Sequence, residues 1–199
     1  MAKRTVGVLA VQGAFVEHER ILKRLGVQVV QLRQASDLRK GFDALVLPGG
    51  ESTAQGRLMR DLGMLKTIRG LIKGGMPVLG TCAGLILLAK RIDTQNGDGS
   101  TVDAQHNSTW LATLPVTVRR NAYGRQLGSF RVVEECAGCG RVPMTFIRAP
   151  FVTQVEAGVE VLATVNEHIV AVRYANQIGL SFHPELDTNE ALHQAFLSM

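Results

Sequence analysis

No stretch of about 18 uninterrupted apolar residues occurs in the chain, so no membrane-spanning helix is expected. No secretory leader is expected either. Met1-Ala2-Lys3-Arg4 is basic, but the apolar run behind it breaks at Gln12-Gly13 and reads as a first strand. Cysteine is scarce, 3 in 199 residues, which excludes a disulfide-stapled scaffold and fits a reducing, cytoplasmic setting. Cys136-Ala137-Gly138-Cys139 is a C-x-x-C, yet zinc needs four ligands, usually from two such pairs, and the second pair is missing. It also lacks a thioredoxin-like context, so it reads as a loop with two incidental thiols, and no metal is expected. Neither G-x-G-x-x-G nor a phosphate-site lysine motif is present, so no cofactor is expected. With no internal repeat and no linker, residues 1–199 read as one domain long enough to bury a sizeable core.

What is present begins with charge. Residues 1–100 hold 15 Lys/Arg against 8 Asp/Glu, and residues 101–199 hold 7 against 9. A basic half raises the question of a nucleic-acid face. The cations are dispersed, as in Arg20, Lys23, Arg24 and Arg39, Lys40, on predicted helix exteriors. Solvated helix faces or a partner-docking surface explain them better, and no nucleic-acid ligand is expected.

Hydrophobic periodicity then alternates between two and three to four residues, placing strands at about 5–11, 27–32, 43–47 and 77–81. Between them fall a helix at about 14–25, a helical turn near Asp37-Leu38, and helices at about 53–62 and 64–74. The first helix puts Ala14, His18, Ile21, Leu22 and Leu25 on one face. Later the pattern turns to short strands at about 115–119, 128–133, 144–148, 160–165, 168–174 and 178–182, and a last helix covers about 188–198. Such alternation implies a three-layer α/β fold: a mostly parallel twisted sheet covered by helices, with an antiparallel extension.

Three strings carry chemistry. Gly80-Thr81-Cys82-Ala83-Gly84 lies between the apolar runs Met76-Pro77-Val78-Leu79 and Leu85-Ile86-Leu87-Leu88-Ala89. Strand, tight turn with a nucleophile, then helix is a nucleophile elbow with cysteine in place of serine. The flanking glycines leave room for backbones to cross, and the helix N-terminus favours thiolate. An isolated G-x-C-x-G reads as readily as a small core cysteine. The second string, Gly179-Leu180-Ser181-Phe182-His183-Pro184-Glu185, ends a short strand on a histidine with a carboxylate two residues on. Pro184 biases His183 to extended geometry, where residues two apart share a side. A base and its orienting acceptor would then come from one loop. In the third string, Leu45-Val46-Leu47-Pro48-Gly49-Gly50-Glu51-Ser52-Thr53, a strand runs into a Gly-Gly turn where backbone N–H groups can approach a ligand oxygen. By itself it is equally an ordinary strand-to-helix turn.

In this order the three strings resemble class I (triad) glutamine amidotransferases. More closely, the chain resembles glutaminase subunits of pyridoxal 5′-phosphate synthases. That resemblance rests also on Gly7-Val8-Leu9-Ala10-Val11-Gln12-Gly13-Ala14, on Arg119-Arg120-Asn121-Ala122-Tyr123-Gly124-Arg125-Gln126 and on Phe146-Ile147-Arg148-Ala149-Pro150. It spans nearly the whole chain. Residues 92–114 depart from the family pattern: His106-Asn107-Ser108-Thr109-Trp110 stands where a short connection is usual. No family role is carried onto that stretch, and His106 reads as a surface histidine.

The resemblance implies a flavodoxin-like fold and hydrolysis of L-glutamine to L-glutamate and ammonia. It assigns Cys82 as nucleophile, His183 as base and Glu185 as its orienting partner. It places an oxyanion against the N–H groups of Gly50 and Ala83, and glutamine against Gly49, Gly50, Glu51, Arg120, Ile147 and Arg148. It implies a (β/α)₈-barrel pyridoxal 5′-phosphate synthase subunit as the partner that takes the ammonia. Three rivals are weighed against it. Elbow-cysteine peptidases and stress proteins tend to carry histidine directly after the cysteine, where this chain has Ala83. A binding module with a silent cysteine has no need of the His183-Glu185 pair. A glutaminase serving another synthase is disfavoured by the Asn121-to-Gln126 string.

Overall fold

The computed structural model describes residues 4–93, 95, 108–121 and 129–199. In chain order the first elements are β1 (Thr5–Leu9), α1 (Phe15–Arg24), β2 (Gln28–Leu32), β3 (Ala44–Leu47), α2 (Ser52–Asp61), α3 (Leu65–Lys73), β4 (Val78–Thr81) and α4 (Ala83–Leu88). There follow β5 (Ala89–Ile92), β6 (Leu114–Arg119), β7 (Ser129–Cys136), β8 (Gly140–Ile147), β9 (Phe151–Val155), β10 (Glu160–Val165), β11 (His168–Tyr174), β12 (Gln177–Leu180) and α5 (Ala191–Leu197).

One sheet of 10 strands runs β2-β1-β3-β4-β12-β11-β9-β6-β5, with β10 paired to β11. The β2-to-β12 half is parallel, and β11, β9 and β10 pair antiparallel. Parallel strands covered on both faces alternate their side chains between two cores. In β3, Leu45 and Leu47 enter one core with α2, α3 and α4, represented by Met59, Ile68 and Leu85. Ala44 and Val46 enter the other with Leu22 of α1, Leu192 and Phe196 of α5, and Phe146 of β8. Those are the three layers that the alternation implies.

Two strands were not legible. The helix begun at Ala83 stops at Leu88 because Ala89 takes φ −55°, ψ 135°, and residues 89–92 pair with β6 instead. Phe151–Val155 pairs with β6 along its length and with β11 through Val152. The short strands expected near 128–133 and 144–148 are longer and form one hairpin, from Ser129↔Ile147 to Cys136↔Gly140. Its tip is the C-x-x-C turn, closed by the Cys139 N–H donating to Cys136 O at 2.9 Å.

The carboxyl ends of β1, β3, β4 and β12 lie side by side. They lead into Gln12-Gly13, Pro48-Gly49-Gly50, Cys82 and His183 respectively. Ligands of open α/β sheets bind at this edge.

Candidate active site

Cys82 stands between β4 and α4 at φ 48°, ψ −99°, a conformation that costs a non-glycine residue about 1–3 kcal/mol. Its surroundings hold it there. The Cys82 N–H donates to Leu180 O of β12 at 2.8 Å. Behind it α4 lies directly on β3: a Cβ on Gly84 would stand 2.0 Å from Leu47 O. No side chain fits at that contact, which accounts for the glycine after the elbow. Because α4 is 6 residues long, its dipole adds little, and charge at the sulfur must be balanced chiefly by another group.

That group is His183. It follows β12, its N–H donates to Thr145 O of β8 at 2.8 Å, and Pro184 then opens a tight 3₁₀ turn through Leu186. The ring lies beside the Cys82 thiol on one side. On the other, Nδ1 lies 2.7 Å from Glu185 Oε1. Burial disfavours a charged ring, but its interactions with Cys82 and Glu185 outweigh it and push His183 up to about 10. An imidazolium therefore faces the Cys82 sulfur at neutral pH. Burial also acts to raise the Glu185 carboxyl, yet His18 and His183 beside it hold it below the usual carboxylate range.

A further set of buried polar groups lies beneath this trio. His18 of α1 is fully buried, with Nε2 3.1 Å from Thr81 Oγ1 and 3.3 Å from Glu185 Oε2, the latter outside hydrogen-bond geometry. Its Nδ1 meets Nε2 of His193, on α5, at 3.0 Å. The helical periodicity had put His18 on the buried face of α1, but not beside Glu185.

The Gly-Gly turn closes over the base. A Cβ on Gly49 would stand 2.3 Å from His183 Cε1. Gly49 O accepts from the Ala14 N–H at 2.9 Å, Gln12 Oε1 accepts from the Glu51 N–H at 3.0 Å, and Gln55 Nε2 donates to Gln12 O and Pro48 O. The turn that holds Gly49 and Gly50 is thus stapled to residues 12–14. Glu51 caps α2, accepting from the Thr53 and Ala54 N–H groups at 2.9 and 2.7 Å. Arg120, just past β6, donates to Glu51 Oε1 at 3.1 Å and to Ser52 Oγ at 2.9 Å. The two residues expected to share a substrate's ionic head are therefore paired with each other. Ala83 is the first residue of α4, where helix N–H groups have no intrahelical acceptor. Ile147 and Arg148 end the β8 arm, two and three residues past the Thr145 that holds His183, both exposed and Arg148 at φ 44°. Residues 122–126 of the Asn121-to-Gln126 string, and His106, lie outside the described residues.

A mostly parallel sheet whose elbow cysteine meets a His–Glu pair at its carboxyl edge has the flavodoxin-like form of class I glutamine amidotransferases. A crystal structure of a glutamine amidotransferase superposes on this chain with a TM-score of 0.86 at 41% identity, covering 97% of each. The chain belongs to the SNO glutamine amidotransferase family, whose model matches residues 8–199. It is 56% identical over 192 residues to the pyridoxal 5′-phosphate synthase subunit PdxT of Desulfitobacterium hafniense (strain Y51), spanning 96% of this chain and 91% of that one. It is 50% identical over 197 residues to the subunit of the same name from Streptococcus pneumoniae, spanning 98% and 96%.

Proposed function

We propose that this chain, as a single domain, hydrolyses L-glutamine to L-glutamate and ammonia and hands the ammonia to a partner subunit that builds pyridoxal 5′-phosphate. The observation that carries the reading is His183, set beside Cys82 and 2.7 Å from Glu185 where two adjacent parallel strands end. The curated relatives named as subunits of that synthase supply the pathway.

With the proton already on His183, the Cys82 sulfur attacks the side-chain amide carbon of glutamine as a thiolate. The carbonyl oxygen becomes an oxyanion, stabilised by the N–H groups of Gly50 and Ala83. One such donor is worth about 3–4 kcal/mol in enzymes where it has been removed. His183 gives its proton to the amide nitrogen as the carbon–nitrogen bond breaks and ammonia departs. The now neutral ring takes a proton from water, whose oxygen attacks the γ-glutamyl thioester. The thiolate leaves and glutamate is released. Glu185 keeps the ring oriented and stabilises its charged form. Glu51, Arg120 and the Ile147–Arg148 stretch hold the amino-acid head, where an ammonium needs an anion and a carboxylate needs donors.

Ammonia lost to water at neutral pH is mostly protonated and useless as a nucleophile, so turnover gains from coupling to an acceptor. We take that acceptor to be a (β/α)₈-barrel subunit. Three free thiols suit a reducing cytoplasm. Among the described residues no helix is long and apolar enough to cross a membrane. The test is ammonia release from glutamine, with and without the barrel subunit. Slow hydrolysis alone, rising at least about tenfold with the partner, or ~1.4 kcal/mol of barrier, is expected. No release in either condition would refute the reading.

A further inference from the structure

Glu185 uses one oxygen on His183. Its other oxygen, Oε2, lies in a fully buried side chain and has no partner in hydrogen-bond geometry among the described residues. A carboxylate left half-satisfied in the interior is costly, and it is free to rotate away from its partner. The polar group that faces Oε2 at 3.3 Å is His18 Nε2.

Which face His18 presents depends on its tautomer, and the neighbours decide that. Nδ1 of His18 and Nε2 of His193 are 3.0 Å apart, so one must donate and the other accept. If His18 carried its proton on Nδ1, its Nε2 lone pair would face the Glu185 carboxylate. His193, accepting at Nε2, would then have to bury an N–H at Nδ1, an atom with no partner among the described residues. With the proton on Nε2, both faults vanish: the N–H donates to Thr81 Oγ1 and turns its positive end toward Glu185 Oε2 at 3.3 Å, and His193 donates from Nε2 to His18 Nδ1. Only a lone pair at His193 Nδ1 stays unmatched. Burial lowers both rings below the ordinary histidine value and so favours their neutral forms. The other charged groups that act on the pair are His183, Glu17 and Arg24.

We propose that His18 is a positioning residue for the triad: its Nε2–H steadies the second oxygen of Glu185, and His193 fixes the tautomer that allows this. The proposal rests on the roles given above to Cys82, His183 and Glu185. It extends the array inward, from α5 through α1 and the turn after β12 to the elbow.

Three measurements test it. In the full-length wild-type chain, long-range nitrogen–proton NMR correlations of His18 are expected to show the Nε2–H tautomer, and an Nδ1–H tautomer overturns the proposal. In the complex with the synthase, His18→Phe is expected to lower kcat for glutamine by about tenfold to a hundredfold, the loss that misplacing a catalytic group brings. KM should stay within about twofold, as for an interaction that acts on the transition state. His18→Gln, which keeps an N–H near Nε2, should recover most of that loss. The pH profile of Cys82 alkylation should also move in His18→Phe and return in His18→Gln. A folded His18→Phe with wild-type kcat and an unmoved profile overturns the assignment. Should the wild type release no ammonia, the glutaminase reading fails, while the tautomer and the alkylation profile still decide the role of His18.

Discussion

The backbone of Gly49 lies against the His183 ring so closely that a single added carbon would stand 2.3 Å from Cε1. Ordinary contact needs more than an ångström beyond that. In Gly49→Ala either the ring or the Pro48-Gly49-Gly50 turn must shift. The turn is held by Ala14, Gln12 and Gln55, and the ring by Glu185. Since displacement of about 1 Å costs roughly a hundredfold, Gly49→Ala is expected to lose at least that in turnover. Circular dichroism should show the fold intact. Turnover within a factor of about two of wild type would mean that the ring is not where catalysis needs it.

A second prediction concerns the proton on His183. Burial alone would lower its pKa, and the Cys82 sulfur is a main reason that it stands at about 10 instead. In Cys82→Ala the ring should titrate at lower pH in NMR, with the Glu185 contact still raising it. An unchanged titration would break the link between the two. Because the proton leaves with ammonia, wild-type turnover should fall as pH climbs through about 10, where His183 gives up its proton. A diazo-ketone analogue of glutamine should label Cys82 and spare Cys136 and Cys139.

Glu51 and Arg120 are bonded to each other, so their substitutions should not add. Each alanine variant is expected to weaken glutamine binding at least about tenfold, given ~1.5–3 kcal/mol for a charge-assisted hydrogen bond. Glu51→Ala also removes the cap of α2, about 1 kcal/mol of stability, which Arg120→Ala leaves in place. Calorimetry on an inactive Cys82→Ala background separates binding from turnover. The double variant should bind only slightly worse than either single one. Strict additivity would show that the pair is not a unit.

The hairpin tip gives an order of thiol reactivity. The neighbouring Cys139 sulfur and burial push the Cys136 thiol up, whereas the interaction with Cys136 draws Cys139 down to about 7. Cys136 is 1% exposed and Cys139 half-buried. Maleimide at pH 7 followed by peptide mass spectrometry should find Cys139 labelled well before Cys136. The reverse order would contradict the geometry of the turn.

The elbow and the His-x-Glu string are legible because each function is written in neighbouring residues: glycines two positions from Cys82, and a proline that sets the extended turn at His183. Contacts across the sheet carry no such mark. Glu51 and Arg120 are 69 positions apart, and each looks like an ordinary surface ion until α2 and β6 bring them together. His18 shows its burial in the helical period of α1, but its neighbour Glu185 is fixed only when α1 packs under the turn after β12. Strands β5 and β9 were hidden for a related reason. Residues 89–92 follow directly on an apolar helix in sequence, and only the presence of β6 beside them makes them a strand.

Nucleophile and base descend from adjacent parallel strands in fixed register, Thr81 opposite Leu180, with the Cys82 N–H already bonded to Leu180 O. The anchor of the nucleophile is thus a bond in the middle of the sheet, lost only when β4 and β12 part, whereas the base sits three residues past β12 and is held by Thr145 of the β8 arm. Loosening of the β7–β8 hairpin would displace the base while the nucleophile stayed in place.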